Sequence, residues 1–133
     1  MTLSKKEKVI SWICQVVAAI IMLQTLYFKF SGSEESVFIF STLNIEPWGR
    51  FGTGIAELIA SVLLLIPATC WLGALIGIGI MGGALVSHLT ILGIEVKGDG
   101  GYLFFLGIIV LITCLIIVFI RRKEVPYLKN YQF

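Results

Sequence analysis

Charged residues are scarce in this chain of 133 residues: Asp, Glu, Lys and Arg make up 14% of it, and hydrophobic residues 58%. An ordinary globular domain is about 25% charged and about 45–50% apolar. The few charges are also unevenly placed, because long stretches carry none of them. This distribution does not fit a soluble domain, and it predicts a single domain, residues 1–133, that lies in a membrane.

Motifs for several kinds of chemistry are missing as well. The three cysteines, Cys14, Cys70 and Cys114, form no Cys-x-x-Cys pair, so we interpret them as small apolar residues at helix interfaces. The sequence contains no glycine-rich phosphate loop, nucleophile elbow or basic nucleic-acid patch. Thiol–disulfide exchange, nucleotide chemistry and a nucleic-acid partner are therefore not expected.

Four apolar runs are long enough to suggest membrane spans. About 20 apolar residues cross a hydrocarbon core of roughly 30 Å as a helix, which satisfies its own backbone in lipid. The predicted fold is all-α: an integral membrane four-helix bundle with up-down-up-down topology. The second span is the shortest, and it either extends past Pro67 or begins near Trp48. The predicted spans are 9–28, 51–67, 70–93 and 101–120.

The first run is not expected to be a cleaved signal peptide, because its apolar part is too long and no small-residue cleavage site follows it.

Basic residues indicate the orientation, since they favour the cytoplasmic side. Three of them, Lys29, Arg50 and Lys97, lie in the two loops predicted to face outward. The others lie near the two ends of the sequence, which places both ends in the cytoplasm: Lys5, Lys6, Lys8, Arg121, Arg122, Lys123 and Lys129.

The segment between the first two spans predicts a short helix over residues 33–43. Its start has serines followed by Glu34 and Glu35, a hydroxyl cap with acids in the first turn. About ten residues cannot cross a bilayer, so the helix lies in the outer interface or over the bundle mouth. The other connections are shorter: Ala68 and Thr69 form a hairpin, and residues 97–101 form a glycine-rich turn.

Small residues recur every four positions in two spans, which allows helices to approach closely in lipid. The glycines are interpreted as packing residues. A homodimer through the face of Gly73 and Gly77 is one alternative, and use of the same glycines inside one chain is the other. The repeats are Gly52, Ala56 and Ala60, then Gly73 and Gly77, then Gly79 and Gly83.

Polar residues within the spans converge at one depth. At 1.5 Å per residue, Glu57 and His88 each lie roughly 10 Å below the outer surface, and Gln24 about 8 Å below it. Tyr27, Lys29 and Arg50 are placed at the rim of the same region. Helical spacing suggests that three stripes face one interior. They are Gly54, Glu57 and Ser61; Gly77, Met81, Ala84 and His88; and Val17, Ile20, Gln24 and Phe28.

A buried carboxyl beside an imidazole can share a proton with it. This chemistry suits the carbonyl of a quinone or of a similar amphiphile, with Glu57 and His88 as its partners and Gln24 and Tyr27 as further hydrogen-bond partners. The predicted ligand site also includes Lys29 and Arg50 at its rim. The alternative is that Glu57 and His88 bond only to each other and lock two helices together. No metal site is predicted, because one His and one Glu are too few ligands for zinc.

Several short motifs resemble the DoxX family of small four-helix bacterial membrane proteins. The motifs are Gly54-Ile55-Ala56-Glu57, Leu72-Gly73-Ala74-Leu75 and Ser87-His88-Leu89-Thr90. The resemblance implies a bacterial inner-membrane protein, with a redox protein or a larger membrane complex as its partner. The sequence lacks the cysteine pair of the redox-active relatives, so electron transfer by this chain itself is not expected.

The leading functional hypothesis is a redox-associated accessory subunit that binds a quinone-like ligand and is not an enzyme on its own. The second is a structural accessory or chaperone that packs against a larger complex through the fourth span or residues 37–43. Transport of protons or small solutes ranks last, because the inner half of the bundle is apolar apart from Gln15, Ser61 and the cysteines.

Overall fold

The computed structural model describes residues 3–125, and within that range it contains helices and connecting turns but no strand. Lys129, which contributed to the predicted orientation, lies outside the described residues. The last helical turn before the fourth connection is a π-helix, His88–Leu92, which continues directly from α4. The α-helices are α1 Lys5–Ser31, α2 Glu34–Thr42, α3 Trp48–Leu64, α4 Cys70–Ser87 and α5 Tyr102–Ile120.

Three helical segments are long and apolar enough to cross a membrane: Lys5–Ser31, Cys70–Leu92 and Tyr102–Ile120. Helix α3 has 17 residues, which is about 26 Å at 1.5 Å per residue. It begins at Trp48, as one of the two sequence alternatives proposed, and it ends three residues earlier than the predicted limit of Pro67. Pro67 explains the early end, because proline disfavours helical backbone in the residue before it.

The predicted short helix is confirmed as α2. Ser33 caps it, accepting a hydrogen bond from the backbone N–H of Ser36 at 3.2 Å. Helix α2 packs against α1, α3 and the π-helical turn. Of the two predicted arrangements, the structure therefore shows the one in which this helix lies over one end of the other helices.

The long helices pack in a closed ring, in which α1 and α4 each contact both α3 and α5. Close approach depends on two glycines of α4. A Cβ atom on Gly73 would lie 2.8 Å from the carbonyl oxygen of Ala60, and one on Gly77 would lie 2.8 Å from Sγ of Cys114. Both glycines are buried within this chain, so the face proposed for a homodimer is already used inside it.

The packing role predicted for the remaining repeat glycines is wrong. A Cβ atom on Gly52, Gly79 or Gly83 would meet no atom within 4 Å. The spacing of four residues alone could not reveal this, because it does not show which face of a helix meets a neighbouring helix.

The end of the bundle away from α2 is closed by a buried polar network. Ser11 donates to Oε1 of Gln15 at 2.6 Å, and Nε2 of Gln15 donates to the carbonyl of Leu64 at 2.7 Å. Arg121 donates to Ser11 at 3.0 Å and to the carbonyl of Pro67 at 3.4 Å. These bonds satisfy carbonyls at the end of α3 that have no partner within the helix, which gives Gln15 a structural role.

Candidate functional site

A cavity of about 740 Å³ lies among the five helices at the end covered by α2. This volume is within the range of about 300–1,000 Å³ that is usual for small-molecule sites. Its walls are mostly apolar, with side chains such as Phe40, Ile80, Leu85 and Leu106. Six of its polar lining residues are Gln24, Thr25, Lys29, Glu35, Glu57 and His88.

Glu57 is the most deeply buried charged group of the cavity, with 1% of its surface exposed. Its Oε1 lies 2.5 Å from Nζ of Lys29, and its Oε2 accepts a hydrogen bond from Oγ1 of Thr25 at 2.7 Å. Thr25 and Lys29 are one turn apart on α1, so both side chains reach the same carboxylate on α3. The result is a buried ion pair with an additional hydroxyl donor.

Arg50 lies beside this ion pair but does not line the cavity. Its Nη1 donates to the backbone carbonyl of Lys29 at 2.6 Å, and its guanidinium pairs with Glu46 at 2.8 Å. The carbonyls of a final helical turn have no partner within the helix, and Arg50 supplies one here. Arg50 therefore holds in place the turn that carries Lys29.

His88 is buried at the start of the π-helical turn, a type of turn that often occurs at functional sites. Its Nδ1 lies 2.9 Å from the carbonyl oxygen of Gly93. A carbonyl only accepts hydrogen bonds, so Nδ1 must carry the hydrogen, and Nε2 of the neutral ring is an acceptor. The ring also meets the edge of Phe104, with centroids 5.6 Å apart.

The direct bond between Glu57 and His88 that the sequence suggested is not present. Both residues line one cavity, and their common depth in a membrane stays a prediction. Each has a different partner, however: Lys29 and Thr25 bond to Glu57, and Gly93 bonds to His88. The long side chain of Lys29 extends from the end of α1 inward to Glu57. Lysines near the ends of spans more commonly extend toward the surface.

The structure separates the two remaining predicted residues. Gln24 lines the cavity at its exposed edge, where its Nε2 lies 3.5 Å from the hydroxyl of Tyr102. Tyr27 is 68% exposed, packs against the edge of Phe28 and is not part of the lining.

The predicted α1 stripe through Ile20 and Gln24 is wrong, since Ile20 is 59% exposed. The face of α1 that is buried instead carries Cys14, Ala18, Met22 and Leu26. Alanines at 18 and 19 allow neighbouring helices to approach closely, which favours this rotation of α1.

Thr25 and Glu35 are among the polar residues of the cavity that sequence reasoning missed. The spacing of Thr25 and Lys29, four residues apart, was the available signal for the first. Oε1 of Glu35 is covered and has no hydrogen-bond partner in the described part of the chain. Burial and the nearby charge of Asp99 raise the pKa of the Glu35 carboxyl, and Lys97 lowers it less.

Metal ligands are not grouped in this structure. Residues 3–125 contain no cluster of three or more His, Cys, Asp or Glu side chains that could hold a metal ion. The three cysteines are separate buried thiols. The polar chemistry of the cavity therefore consists of hydrogen bonds and one ion pair.

Comparisons with protein families, with characterised proteins and with solved structures found no match to this chain. The resemblance to the DoxX family stays a prediction. The cavity and its polar groups are the basis for the function argued below.

Proposed function

We propose that this protein is an integral membrane protein that binds a small amphiphilic molecule, such as a quinone, in the cavity beneath α2. In this proposal α1, α3, α4 and α5 cross the bilayer with alternating directions, and both ends of the chain are cytoplasmic. Three helical segments of sufficient length and apolarity support the membrane assignment. The scarcity of charge in the sequence supports it as well.

The observation that carries the ligand-binding proposal is the presence of Lys29, Glu57 and His88 on the wall of one otherwise apolar cavity. An ionisable side chain within a span costs about 2.5–3.5 kcal/mol on insertion scales, and such residues most often serve function. A cavity with apolar walls and a few polar groups at one level suits a molecule with a polar head and an apolar body. The ion pair and the imidazole would meet the head.

The cellular setting in this proposal comes from the resemblance to the DoxX family. It is the bacterial inner membrane, where the protein would act as an accessory subunit beside a redox protein or a larger membrane complex. The chain itself would bind the ligand and would not transform it.

Binding of decylubiquinol, a reduced quinone with hydroxyl groups, to the purified protein in nanodiscs tests the proposal. Glu57→Gln removes the buried charge of the cavity and should weaken binding at least tenfold, which corresponds to about 1.4 kcal/mol. Glu46→Gln is the matched control, because it also breaks an ion pair, with Arg50, at a residue that does not line the cavity. Circular dichroism must show that both variants stay folded.

Two results would contradict the proposal: equal affinities of both variants and the original protein, or no binding of any amphiphile to the original protein. The second result, together with a partner protein that co-purifies at fixed ratio, would favour the structural accessory function. The ion pair itself favours that alternative, because Glu57 already has partners on both oxygens and joins α1 to α3.

A further inference from the structure

Helices α3 and α4 are close at one end and apart at the other. Near the α3–α4 turn, backbone atoms of Ala60 and Leu64 each lie 2.8 Å from the position of a Cβ atom on Gly73. Gly83 is ten residues further along α4, about 15 Å away, and nothing lies within 4 Å of its Cβ position. The same is true of Gly52 on α3.

Gly52 and Gly83 are both exposed, and both also line the cavity. Since they belong to adjacent helices and their Cβ positions face open space, one opening of the cavity lies between α3 and α4. Gln24 and Tyr102, which are also exposed and line the cavity, mark a second opening between α1 and α5. We name the opening between α3 and α4 the side window and define it by Gly52 and Gly83.

The surface around the side window is apolar. Ile55 on α3 is 52% exposed and Val86 on α4 is 60% exposed. In a membrane-spanning bundle these side chains face acyl chains. That region accepts apolar side chains and backbone whose hydrogen bonds are satisfied within the protein. A molecule that reaches the side window must therefore be dissolved in the lipid.

Inside the cavity, Nε2 of His88 is a polar atom that a ligand can engage without displacing a partner. His88 is 6% exposed and lines the cavity. Within residues 3–125, its Nδ1 bonds to Gly93 and its Nε2 has no hydrogen-bond partner. Glu57 is engaged by Lys29 and Thr25, whereas Oε1 of Glu35 on α2 is a second atom of the lining without a hydrogen-bond partner in the described residues. Because Nε2 of the neutral ring accepts, its ligand must donate.

From the side window and the His88 tautomer we infer that the ligand is a membrane-dissolved alcohol or phenol, which enters sideways between α3 and α4 and donates its hydroxyl hydrogen to Nε2 of His88. This inference rests on the proposed function, and it narrows the ligand from amphiphiles in general to those with a hydrogen-bond donor. A carbonyl head, as in an oxidised quinone, lacks that donor.

Competition between decylphenol and its methyl ether tests the ligand class. The two compounds share a ring and a tail, and only the phenol donates a hydrogen bond. Their partition into empty nanodiscs is measured separately, and the bound ratio is corrected for the difference. Native mass spectrometry of the protein with an equimolar mixture gives the bound ratio. It should favour the phenol about tenfold, the selectivity that one buried hydrogen bond provides.

In His88→Phe, which keeps an aromatic ring but has no acceptor, the phenol and the ether should bind about equally. It should persist in His88→Gln, whose amide oxygen can take the place of Nε2. Equal binding of phenol and ether to the original protein would overturn the ligand class while the proposed function stands. Binding of neither compound would overturn both.

The entry route has its own matched pair of variants. Gly83→Phe places a ring at the side window, and Gly82→Phe places one at a neighbouring position that also has open space but does not line the cavity. Trp48 lines the cavity, so quenching of its fluorescence by a brominated decylphenol reports arrival when Trp12 and Trp71 are replaced by Phe.

Gly83→Phe should slow association from vesicles at least tenfold, and Gly82→Phe should leave the rate unchanged. Equal association rates for the two variants would overturn entry through the side window. A rate change in Gly83→Phe without loss of the phenol preference would support the whole inference, because the head then still reaches His88.

Discussion

The ion pair between Lys29 and Glu57 gives a prediction whose size follows from its geometry. The two charges are 2.5 Å apart, Glu57 is almost fully buried, and the Lys29 side chain is 16% exposed. With an effective dielectric constant of about 20, their gross attraction is about 7 kcal/mol. Relaxation of the structure around each single substitution reduces the measured part of this attraction, so we expect a coupling of about 2–3 kcal/mol, within the range of about 1.5–7 kcal/mol found for close charge pairs.

A double-mutant cycle with Lys29→Met, Glu57→Gln and the combined variant measures this coupling. Lys29→Met should be the most destabilising of the three, because it leaves a buried carboxylate with Thr25 as its one remaining hydrogen-bond donor in the described structure. The assay is unfolding in mixed micelles of rising dodecyl sulfate content, followed by circular dichroism. Single effects that add within about 0.5 kcal/mol would refute the ion pair as a stabilising contact.

A second cycle distinguishes the structure from the pairing that the sequence suggested. Glu57→Gln combined with His88→Ala should show a coupling below about 0.5 kcal/mol, the limit expected for residues without a shared partner. His88 bonds to the Gly93 carbonyl instead. A coupling above 1 kcal/mol, roughly the net value of one hydrogen bond, would mean that Glu57 and His88 do interact.

Packing and loop contacts give two more predictions. Gly77→Ala places a methyl group 2.8 Å from Sγ of Cys114 and should lower the free energy of unfolding by about 1–3 kcal/mol. Adding Cys114→Ala to this variant should restore most of the lost stability. Gly79→Ala is the control in open space, and it should be neutral or stabilising by up to about 1 kcal/mol. Burial opposes ionisation of Asp99, but hydrogen bonds from three backbone N–H groups lower the pKa of its carboxyl overall. Its stabilisation is therefore complete above the unfolded-state pKa of about 3.9 and is lost as the pH falls through the lower folded-state pKa. Asp99→Asn should cost about 1 kcal/mol at neutral pH and should remove this part of the acid dependence of unfolding.

The long helices could be predicted from the sequence because lipid-compatible runs are defined by length and composition, which are visible without coordinates. The placement of Glu57 and His88 on one cavity was predictable for a similar reason, since the rise per residue is fixed at about 1.5 Å. Helix α2 was predictable from its cap, Ser33, and from the acids that follow it.

Rotation of α1 about its axis was not predictable. Apolar residues occur on every face of this helix, so no face is marked as the buried one by polarity. The buried face is instead the one with the small residues Ala18 and Ala19. This rotation brings Thr25 and Lys29 inward and leaves Tyr27 outside, which changes the partner of Glu57 from an imidazole to an ammonium group.

The dense packing below the cavity limits what can leave it. Met22 and Cys114 are fully buried, and Gly77 is in contact with both, while the polar network around Gln15 seals the far end. Within residues 3–125 the bundle is thus closed at one end and open at the other. In the membrane arrangement proposed above, a molecule that enters this cup from one leaflet returns to the same leaflet, so the proposal predicts that the protein holds or presents a molecule.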